Sequence, residues 1–458
     1  MTDSKRIQEL KHKSRRYSIQ EGIFATVKSS FGDNFISPLA IAINSSNSMI
    51  SLYHSIGGLV GPLSQMLSSR LIERYSRKKI VVKAVLFETL MFIPFILIAL
   101  LYQYNITANL LPLYLLIAYS FYVFFANLAG PAWFSWMGDI VDEKYRGRWF
   151  AKRNIIHGFI AIILAISASV FLDYFKTKNW TMFGFVILFA LAFLGRMISR
   201  QIFKKQYEPK LKLQEGYYFT FLSFIFKAPS NNFGKYTIFR ALISFTGAIF
   251  GPLLAVYFLR SLEMSYTLYM MVIFSETFFS LIFMSLWGKF ADSYGNYKTM
   301  ALTAIMLPVL PILWIINSSP LYLIFVPALV GGITWAGFNL SAGNFIYDNV
   351  TPQKRGLVVS YFNLVNGIGI FLGAGIGAFL IKVINTSLIN PIIIIFYIGS
   401  FLRMIVVFWW LPKVKETRDT KKFEGENAFK NLILKETKLA LIDGTHDILT
   451  IKKYLFLK

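Results

Sequence analysis

Apolar runs of about 20 residues recur along the whole chain and alternate with short polar segments. A helix of that length crosses roughly 30 Å of hydrocarbon, so each run predicts a membrane-spanning helix. The pattern predicts twelve spans in this chain of 458 residues. The predicted spans are residues 22–44, 48–68, 80–102, 110–137, 150–172, 181–203, 236–259, 265–287, 299–317, 320–346, 356–382 and 389–412.

The spans form two groups of six, which predicts an all-α, polytopic membrane protein made of two pseudo-symmetric six-helix bundles. The predicted units are a cytoplasmic tail at 1–21, bundles at 22–203 and 236–412, a linker at 204–235 and a cytoplasmic tail at 413–458. The linker contains "GYYFTFLSFIFKA" (216–228), which is too short to cross a bilayer. We expect this segment to lie at the membrane interface as an amphipathic piece.

Lysine and arginine are distributed unevenly between the polar connections. The chain has 47 Lys and Arg against 23 Asp and Glu, and the basic residues gather in every second connection. The intervening loops, such as 103–110 and 317–320, carry none. We expect the protein in the plasma membrane. By the positive-inside rule, both of its termini are expected in the cytoplasm. The basic face is expected to contact anionic lipid headgroups, and nucleic acid is not an expected partner.

Several kinds of chemistry are absent from the sequence. There is no cysteine, which excludes disulfides and thiolate metal sites. The first twenty residues are charged and predict no cleavable signal peptide. No phosphate-binding glycine-rich loop and no His-Glu-x-x-His or Gly-x-Ser-x-Gly element occurs. We therefore expect a protein that is not an enzyme, holds no cofactor or metal, and acts as a monomer on a small-molecule substrate.

The two halves share short sequence matches in the same order. "DIVDEKYRGRWFAKRN" (139–154) aligns with "DNVTPQKRGLVVSYFN" (348–363) at one constant offset. Earlier in each half, "SRLIERYSRKK" (69–79) aligns with "GKFADSYGNYK" (288–298), and a third, shorter match surrounds Pro38. Three ordered matches indicate a duplicated six-helix unit.

The second of these matches resembles the signature of the major facilitator superfamily of secondary transporters. That signature follows helices 2 and 8 and consists of a glycine, an aspartate, a second glycine and a basic cluster. The later copy keeps it in Gly288, Asp292, Gly295 and Lys298, whereas the earlier copy has Glu73 for the aspartate and serines for both glycines. The resemblance covers about 20–412 and implies two six-helix bundles that rock around a central site.

The resemblance also implies that the loop residues form a conformational gate. Asp292 or Glu73 could meet the positive N-terminal end of a helix from the other half, and the two glycines are expected in a tight turn. The gate arginines could exchange partners with Asp139 and Asp348. The alternative is a set of solvated loop charges. The predicted gate residues are Glu73, Arg74, Asp139, Arg146, Gly288, Asp292, Gly295, Asp348 and Arg355.

Ionisable residues inside predicted spans are candidates for substrate binding or proton coupling. Asp33 lies well inside the first span, and the matching positions of the seventh span are apolar, so the shared scaffold does not require it. The alternative is a structural pair with Lys28. Tryptophans on helices 4 and 10 are expected either to line a cavity or to pack between helices. The candidate site residues are Asp33, Asn34, Lys28, Glu276, His157, Trp133, Trp136, Trp335, Asn363 and Asn366.

Three further charges inside the spans are given a lesser role. Glu88 and Arg403 lie on the third and twelfth spans, which in the resembling family face lipid or pack outside the cavity. Arg240 begins the seventh span and is interpreted as a boundary anchor. Glu276 is alternatively expected to hydrogen-bond a neighbouring serine or threonine.

Two functional hypotheses follow. The first is secondary active transport of a small solute by alternating access, with proton coupling through Asp33. The second is a membrane receptor or sensor that keeps the fold without transporting, with 414–458 as its signalling element. The helix 4 arginine and the helix 5 Gly-Pro signature of proton-coupled drug exporters are missing, as are the sugar-porter signatures. Substrate and direction of transport therefore stay open.

Overall fold

The computed structural model describes residues 3–142, 146–209, 211, 219–384, 386 and 388–420, without the side chains of 3, 4, 146–148, 151 and 352–356. Within these ranges the chain is helical or in turns, with no strand. The helices of the first half are α1 Asp3–Phe31, α2 Ile36–Ala42, α3 Asn47–Leu71, α4 Arg77–Leu90, α5 Phe92–Gln103, α6 Leu111–Ile140, α7 Arg146–Thr177 and α8 Thr181–Lys205. The remaining helices are α9 Phe221–Lys227, α10 Asn232–Val256, α11 Tyr266–Tyr294, α12 Asn296–Ala304, α13 Val309–Ile316, α14 Pro320–Asn349, α15 Pro352–Val383 and α16 Pro391–Trp410.

Ten helical segments in the described part of the chain are long and apolar enough to cross a membrane. They coincide with the ten predicted spans from residue 80 onward, which confirms a multi-pass membrane protein. The first two predicted spans correspond to α1 with α2 and to α3, which contain more polar residues such as Lys28, His54 and Gln65. Large apolar side chains, including Phe121, are exposed on the outer helix faces, as expected for contact with lipid.

Prolines interrupt three of the spans. A proline has no N–H to donate, and its ring clashes with the carbonyl four residues earlier. Pro94 follows the end of α4 at Leu90 by four residues, and Pro308 follows the end of α12 at Ala304 by the same distance. Four residues before Pro38 stands Asn34, inside the 3₁₀ turn Asp33–Phe35 that separates α1 from α2. Four other prolines, Pro62, Pro131, Pro252 and Pro327, lie inside continuous helices, so a proline favours a break without by itself fixing one.

Helices α1 to α8 pack mainly among themselves, as do α10 to α16, and two helix pairs make the most extensive contacts between these sets. The pairs are α3 with α15 and α7 with α11. Along the first pair, Ser48 donates to the carbonyl of Ala378 at 2.8 Å, and Ser55 donates to that of Phe371 at 2.7 Å. Small side chains at this seam let the helices approach closely.

The observed helices depart from the predicted boundaries at two places. Helix α1 begins at Asp3, so residues predicted as the N-terminal tail are helical, and Glu21 is buried in this region. Helix α11 continues to Tyr294, beyond the predicted end at 287, and Gly295 alone connects it to α12. Residues 210 and 212–218 of the linker, which include 216–218 of the interfacial segment, and 421–458 of the C-terminal tail lie outside the described residues.

The expectation that two glycines form the turn between α11 and α12 is correct for one of them. Gly295 has a φ of +97°, a conformation that favours glycine because it has no Cβ. Gly288 lies inside α11, and a methyl group there would meet nothing nearer than the Leu340 side chain at 3.8 Å. The prediction that Gly288 lies in the turn is therefore wrong, since the apolar helix persists for two more turns.

Candidate functional site: a broken first span, a charge network and a cavity

Asp33 lies where the first membrane span is interrupted. Helix α1 ends at Phe31, and a 3₁₀ turn over Asp33–Phe35 leads into α2. The Asp33 carboxylate forms an ion pair with Lys28 at 2.8 Å and accepts a hydrogen bond from the hydroxyl of Tyr122 on α6. About a third of the Asp33 side chain, 34%, is exposed. Asn34 follows in the same turn and is partly buried.

Lys28 joins Asp33 to a second carboxylate. Its ammonium lies 3.0 Å from Glu88 on α4, which in turn accepts two hydrogen bonds from Arg196 on α8, at 2.6 and 2.9 Å. The Glu88 side chain is only 1% exposed. Of the two expectations for Glu88, contact with lipid is wrong, because α1 and α8 both supply cations to its buried carboxylate, whereas Glu88 does lie outside the cavity described below.

The charge network continues from Arg196 to Glu21 on α1. Arg196 donates to Ser199 at 3.3 Å, and Ser199 donates to Glu21 at 3.3 Å. Glu21 forms an ion pair with Arg153 on α7 at 3.0 Å. Three acids and three bases thus alternate through the first half, which meets the requirement that buried charges be paired.

Three other predicted site residues pack inside the first half. His157 contacts the carbonyl of Ile19 at 3.2 Å through Nε2. The Trp133 ring lies under the Arg153 guanidinium at 4.7 Å. Trp136 is fully buried and donates to the carbonyl of Tyr207 at 2.8 Å. These contacts favour the packing alternative over a cavity wall for the two tryptophans.

The predicted asparagines lie at the seams between helices. Asn363 on α15 donates to Gln65 on α3 at 2.7 Å, and Gln65 donates to Asn127 on α6 at 3.0 Å. This chain of amides crosses from one half to the other. Asn366, one turn further, accepts a hydrogen bond from Ser244 on α10 at 3.2 Å.

A cavity of about 430 Å³ lies among the helices of the second half. Its walls come from α10, α11 and α13 to α16, with His54 of α3 contributed by the first half. The lining residues that bear chemistry are His54, Arg240, Glu276, Trp314, Trp335 and Arg403. Two predicted site residues, Glu276 and Trp335, thus share one cavity. Arg403 also reaches it, contrary to the expectation that it packs outside.

Glu276 lies on the α11 wall of this cavity with its carboxylate against Gly331 of α14. Its expected hydrogen bond to a serine or threonine is not formed, and no cation in the described ranges pairs with it. Trp335 packs edge-on against Phe338 at 5.8 Å between ring centres. The cavity therefore contains one unpaired carboxylate and an aromatic wall.

The predicted gate residues have partners within their own halves. Asp139 pairs with Arg77 at 2.7 Å, and Asp348 accepts from Asn296 at 2.6 Å. Both aspartates thus bind the first residue of an earlier helix of their own half, α4 for Asp139 and α12 for Asp348. The predicted arginine partners, at 146 and 355, have side chains outside the described part, so the exchange of partners stays a prediction.

The remaining gate residues are on the surface. Glu73 and Arg74 are exposed in the turn between α3 and α4, and Asp292 is exposed on the last turn of α11. Asp292 is predicted to meet the N-terminal end of a helix from the other half, and residues near such ends, such as 143–145 before α7, lie outside the described ranges. A contact between Asp292 and that helix end therefore stays a prediction.

Sequence reasoning missed several residues that complete these sites. Arg77, Tyr122 and Arg196 were overlooked because each appeared as an ordinary loop or span residue. A signal existed for Arg196: it and Glu88 are opposite charges within apolar runs, the sixth and the third, and buried charges of opposite sign tend to pair. No comparable signal marks Tyr122, since aromatic residues are common in every span.

Comparison with known proteins agrees with this architecture. The family model described as Major Facilitator Superfamily matches residues 22–230 and 236–455. A solved mutant of the nucleoside transporter NupG is similar in structure, with 17% identity, a TM-score of 0.63, and coverage of 89% of this chain and 100% of that chain. An auto-inhibited peptide transporter of the POT family gives 12% identity, a TM-score of 0.64, and coverage of 91% and 99%. No curated protein sequence matches the chain.

Proposed function

Since the chain belongs to the major facilitator superfamily and is therefore a membrane transport protein, we propose that it is a proton-coupled secondary transporter of a small solute. In this proposal twelve spans form two six-helix bundles, and rocking of the bundles exposes a central site to one side of the membrane at a time. Both termini lie in the cytoplasm, where the basic connections meet anionic headgroups. The protein works as a monomer.

The observation that carries this proposal is the ionisable break in the first span. Interrupted helices form the coupling sites of many secondary transporters, because unwound backbone and side chains are free to bind there. Here the break places a part-exposed carboxylate, Asp33, beside a cation that is shared with a second acid. Among the described residues of the six-charge network, Asp33 alone lies in the break between α1 and α2, and about a third of its side chain is exposed there.

The proposed coupling step follows from the geometry of Lys28. When Asp33 is ionised, Lys28 bridges Asp33 and Glu88 and ties the break to α4. When Asp33 takes up a proton, its attraction to Lys28 is lost, and Lys28 remains paired with Glu88 alone. The turn before α2 is then released from α1, which changes the packing of the first span against α6.

The proposal is tested by flux measurements in proteoliposomes with an imposed pH gradient. A panel of small solutes is screened for uptake and efflux, and at least one is expected to move with the gradient. Asp33→Asn is expected to abolish gradient-driven accumulation, because it cannot exchange a proton. Asp142→Asn is the matched control, since Asp142 is 57% exposed and pairs with Arg15 on the surface. Unchanged flux in Asp33→Asn would remove Asp33 from the mechanism.

The absence of gradient-dependent flux for every solute would instead favour the sensor alternative. In that case binding partners of 414–458 become the next target. Exchange of labelled for unlabelled solute, without a gradient, separates a loss of coupling from a loss of transport. Asp33→Asn is expected to keep this exchange.

A further inference from the structure

Arg403 is a buried cation without an acid. It lies in the middle of α16 and is 3% exposed. Its Nη1 donates to the carbonyl of Leu307 at 3.3 Å, and its Nε lies 3.5 Å from the hydroxyl of Thr246. The guanidinium also lies 5.0 Å from the centre of the Phe250 ring. None of these groups carries a negative charge, and no carboxylate in the described ranges pairs with Arg403.

The path of Arg403 into the cavity depends on a glycine. Its Nη2 lies against Gly247 of α10, and any side chain at 247 would overlap that nitrogen. Nη2 has no acceptor within the described part of the protein, and Arg403 lines the cavity. The guanidinium therefore packs against α10 at the cavity, and it keeps N–H groups that no acceptor in the described ranges uses.

A second arginine lies on the same side. Arg240 of α10 donates to the side-chain oxygen of Asn339 at 3.2 Å and lies 4.9 Å from the centre of the Phe338 ring. It has no acidic partner in the parts of the chain described. Both arginines line the same cavity. With one carboxylate, Glu276, on the opposite wall, the cavity keeps a formal excess of one positive charge.

The buried cations of the first half differ from Arg240 and Arg403 in having acidic partners. There, each of Lys28, Arg153 and Arg196 is paired with a carboxylate. A buried charge without a partner is costly, and at membrane depth it marks a functional site. Arg403 is too deep in α16 to reach the interface. Two cations that line one cavity without an acidic partner in the described ranges are thus arranged for an anion that the chain itself does not supply.

We propose that this cavity binds an organic anion, with the guanidinium groups of Arg240 and Arg403 holding its carboxylate or phosphate group. Arginine suits this role because its planar N–H groups match both kinds of anion. Trp314 and Trp335 on the same cavity provide an apolar surface for the rest of the molecule. The proposal deepens the proposed function, because it names the chemical class of the transported solute.

His54 connects the cavity to transport. It belongs to α3 of the first half, whereas the arginines belong to the second half. A relative movement of the halves therefore opens or closes one wall of the site.

Lipid headgroup phosphate shares the chemistry of a free organic anion, and the test must separate these sources.

The test compares acids with their uncharged counterparts on the purified, delipidated full chain in detergent. The probes are benzoate with benzamide, indole-3-acetate with indole-3-acetamide, and phenyl phosphate with its neutral dimethyl ester. Binding is measured by titration calorimetry and by the shift in melting temperature. At least one acid is expected to bind, and its neutral counterpart is expected to bind about 10-fold or more weakly. If no acid binds better than its counterpart, the proposal is overturned.

The variants assign the effect to the cavity. Arg403→Gln and Arg240→Gln are each expected to weaken acid binding about 10-fold or more. Gly247→Ala should weaken it as well, because the added methyl displaces the Arg403 guanidinium. Arg70→Gln, at an exposed arginine of α3, is the matched control and should bind as the parent does. If Arg403→Gln does not fold, Arg240→Gln carries the test, since Arg240 is only partly buried.

Two further outcomes are decisive. If phosphatidylglycerol raises the melting temperature equally in the parent and in both arginine variants while no acid binds, the charge effect belongs to lipid and the proposal fails. Binding in detergent needs no proton gradient, so it distinguishes this inference from the proposed function. Loss of gradient-driven flux in Asp33→Asn with acid binding intact would support both.

Discussion

Arg77 and Asp139 form an ion pair at 2.7 Å that joins the first residue of α4 to the end of α6. The repeat alignment that matches Glu73 with Asp292 also matches Arg77 with Asn296. Asn296 contacts Asp348, the counterpart of Asp139, at 2.6 Å. Duplicated positions in the two halves thus make the same helix-to-helix contact with different donors.

The contact in the first half is expected to be the stronger of the two. Arg77 is buried and donates at once to Asp139, to the Ser135 carbonyl and to the Pro209 carbonyl. Arg77→Met should therefore lower stability by about 1–3 kcal/mol, because several acceptors lose a charged donor. Thermal unfolding in detergent measures the change. Arg74→Met, at an exposed neighbour, is the control, and an equal effect of the two substitutions would contradict the assignment.

The pair of Glu88 and Arg196 allows a sharper test of the charge network. Removing either residue alone leaves a buried opposite charge short of a partner, which costs roughly 3–5 kcal/mol. Removing both leaves Lys28 with Asp33 and Arg153 with Glu21. The double variant Glu88→Met with Arg196→Met should thus unfold at a higher temperature than either single variant. Additive losses would show that the two charges do not interact.

The seam between α3 and α15 offers a test of rocking. The hydroxyls of Ser69 and Ser360 are 2.8 Å apart, and the chain has no cysteine. Ser69→Cys combined with Ser360→Cys is expected to form a disulfide across the halves when oxidised. Flux should stop on oxidation and return on reduction, if the halves must move apart. Each single cysteine variant is the control, and undiminished flux in the cross-linked protein would exclude movement at this seam.

Gly288 and Gly295, near the end of α11, allow a matched comparison of how an alanine changes the stability of the protein. Gly295→Ala should destabilise by about 1 kcal/mol or more, because its φ is positive and an added methyl would overlap Glu416. Gly288→Ala should leave stability unchanged or raise it by about 0.5–1 kcal/mol, because it replaces a glycine inside a helix. Melting temperatures in the same detergent compare them. The reverse order would contradict the assignment of Gly295 as the turn residue.

The sequence alone determined the properties that depend on neighbouring residues. Apolar runs of about 20 residues predicted the ten spans that meet the length and composition of membrane helices. Pro94 and Pro308 encode breaks four residues before them, since the effect acts within one helical turn. The turn at Gly295 is encoded in the same way. Backbone geometry and hydrophobicity act locally, so they are readable from a short stretch.

Only the tertiary structure decided which distant charges meet. Glu88 and Arg196 are more than one hundred positions apart, and nothing in either span specifies the face that each presents to the other. Arg403 was expected outside the cavity and reaches it past Gly247, a contact between helices at opposite ends of the second half. Long charged side chains find partners by helix packing, and that packing depends on the whole bundle. For this reason the sequence identified Asp33 and Glu276 as candidates, whereas only the structure showed that Asp33 is paired with Lys28 and that Glu276 has no cation partner in the described ranges.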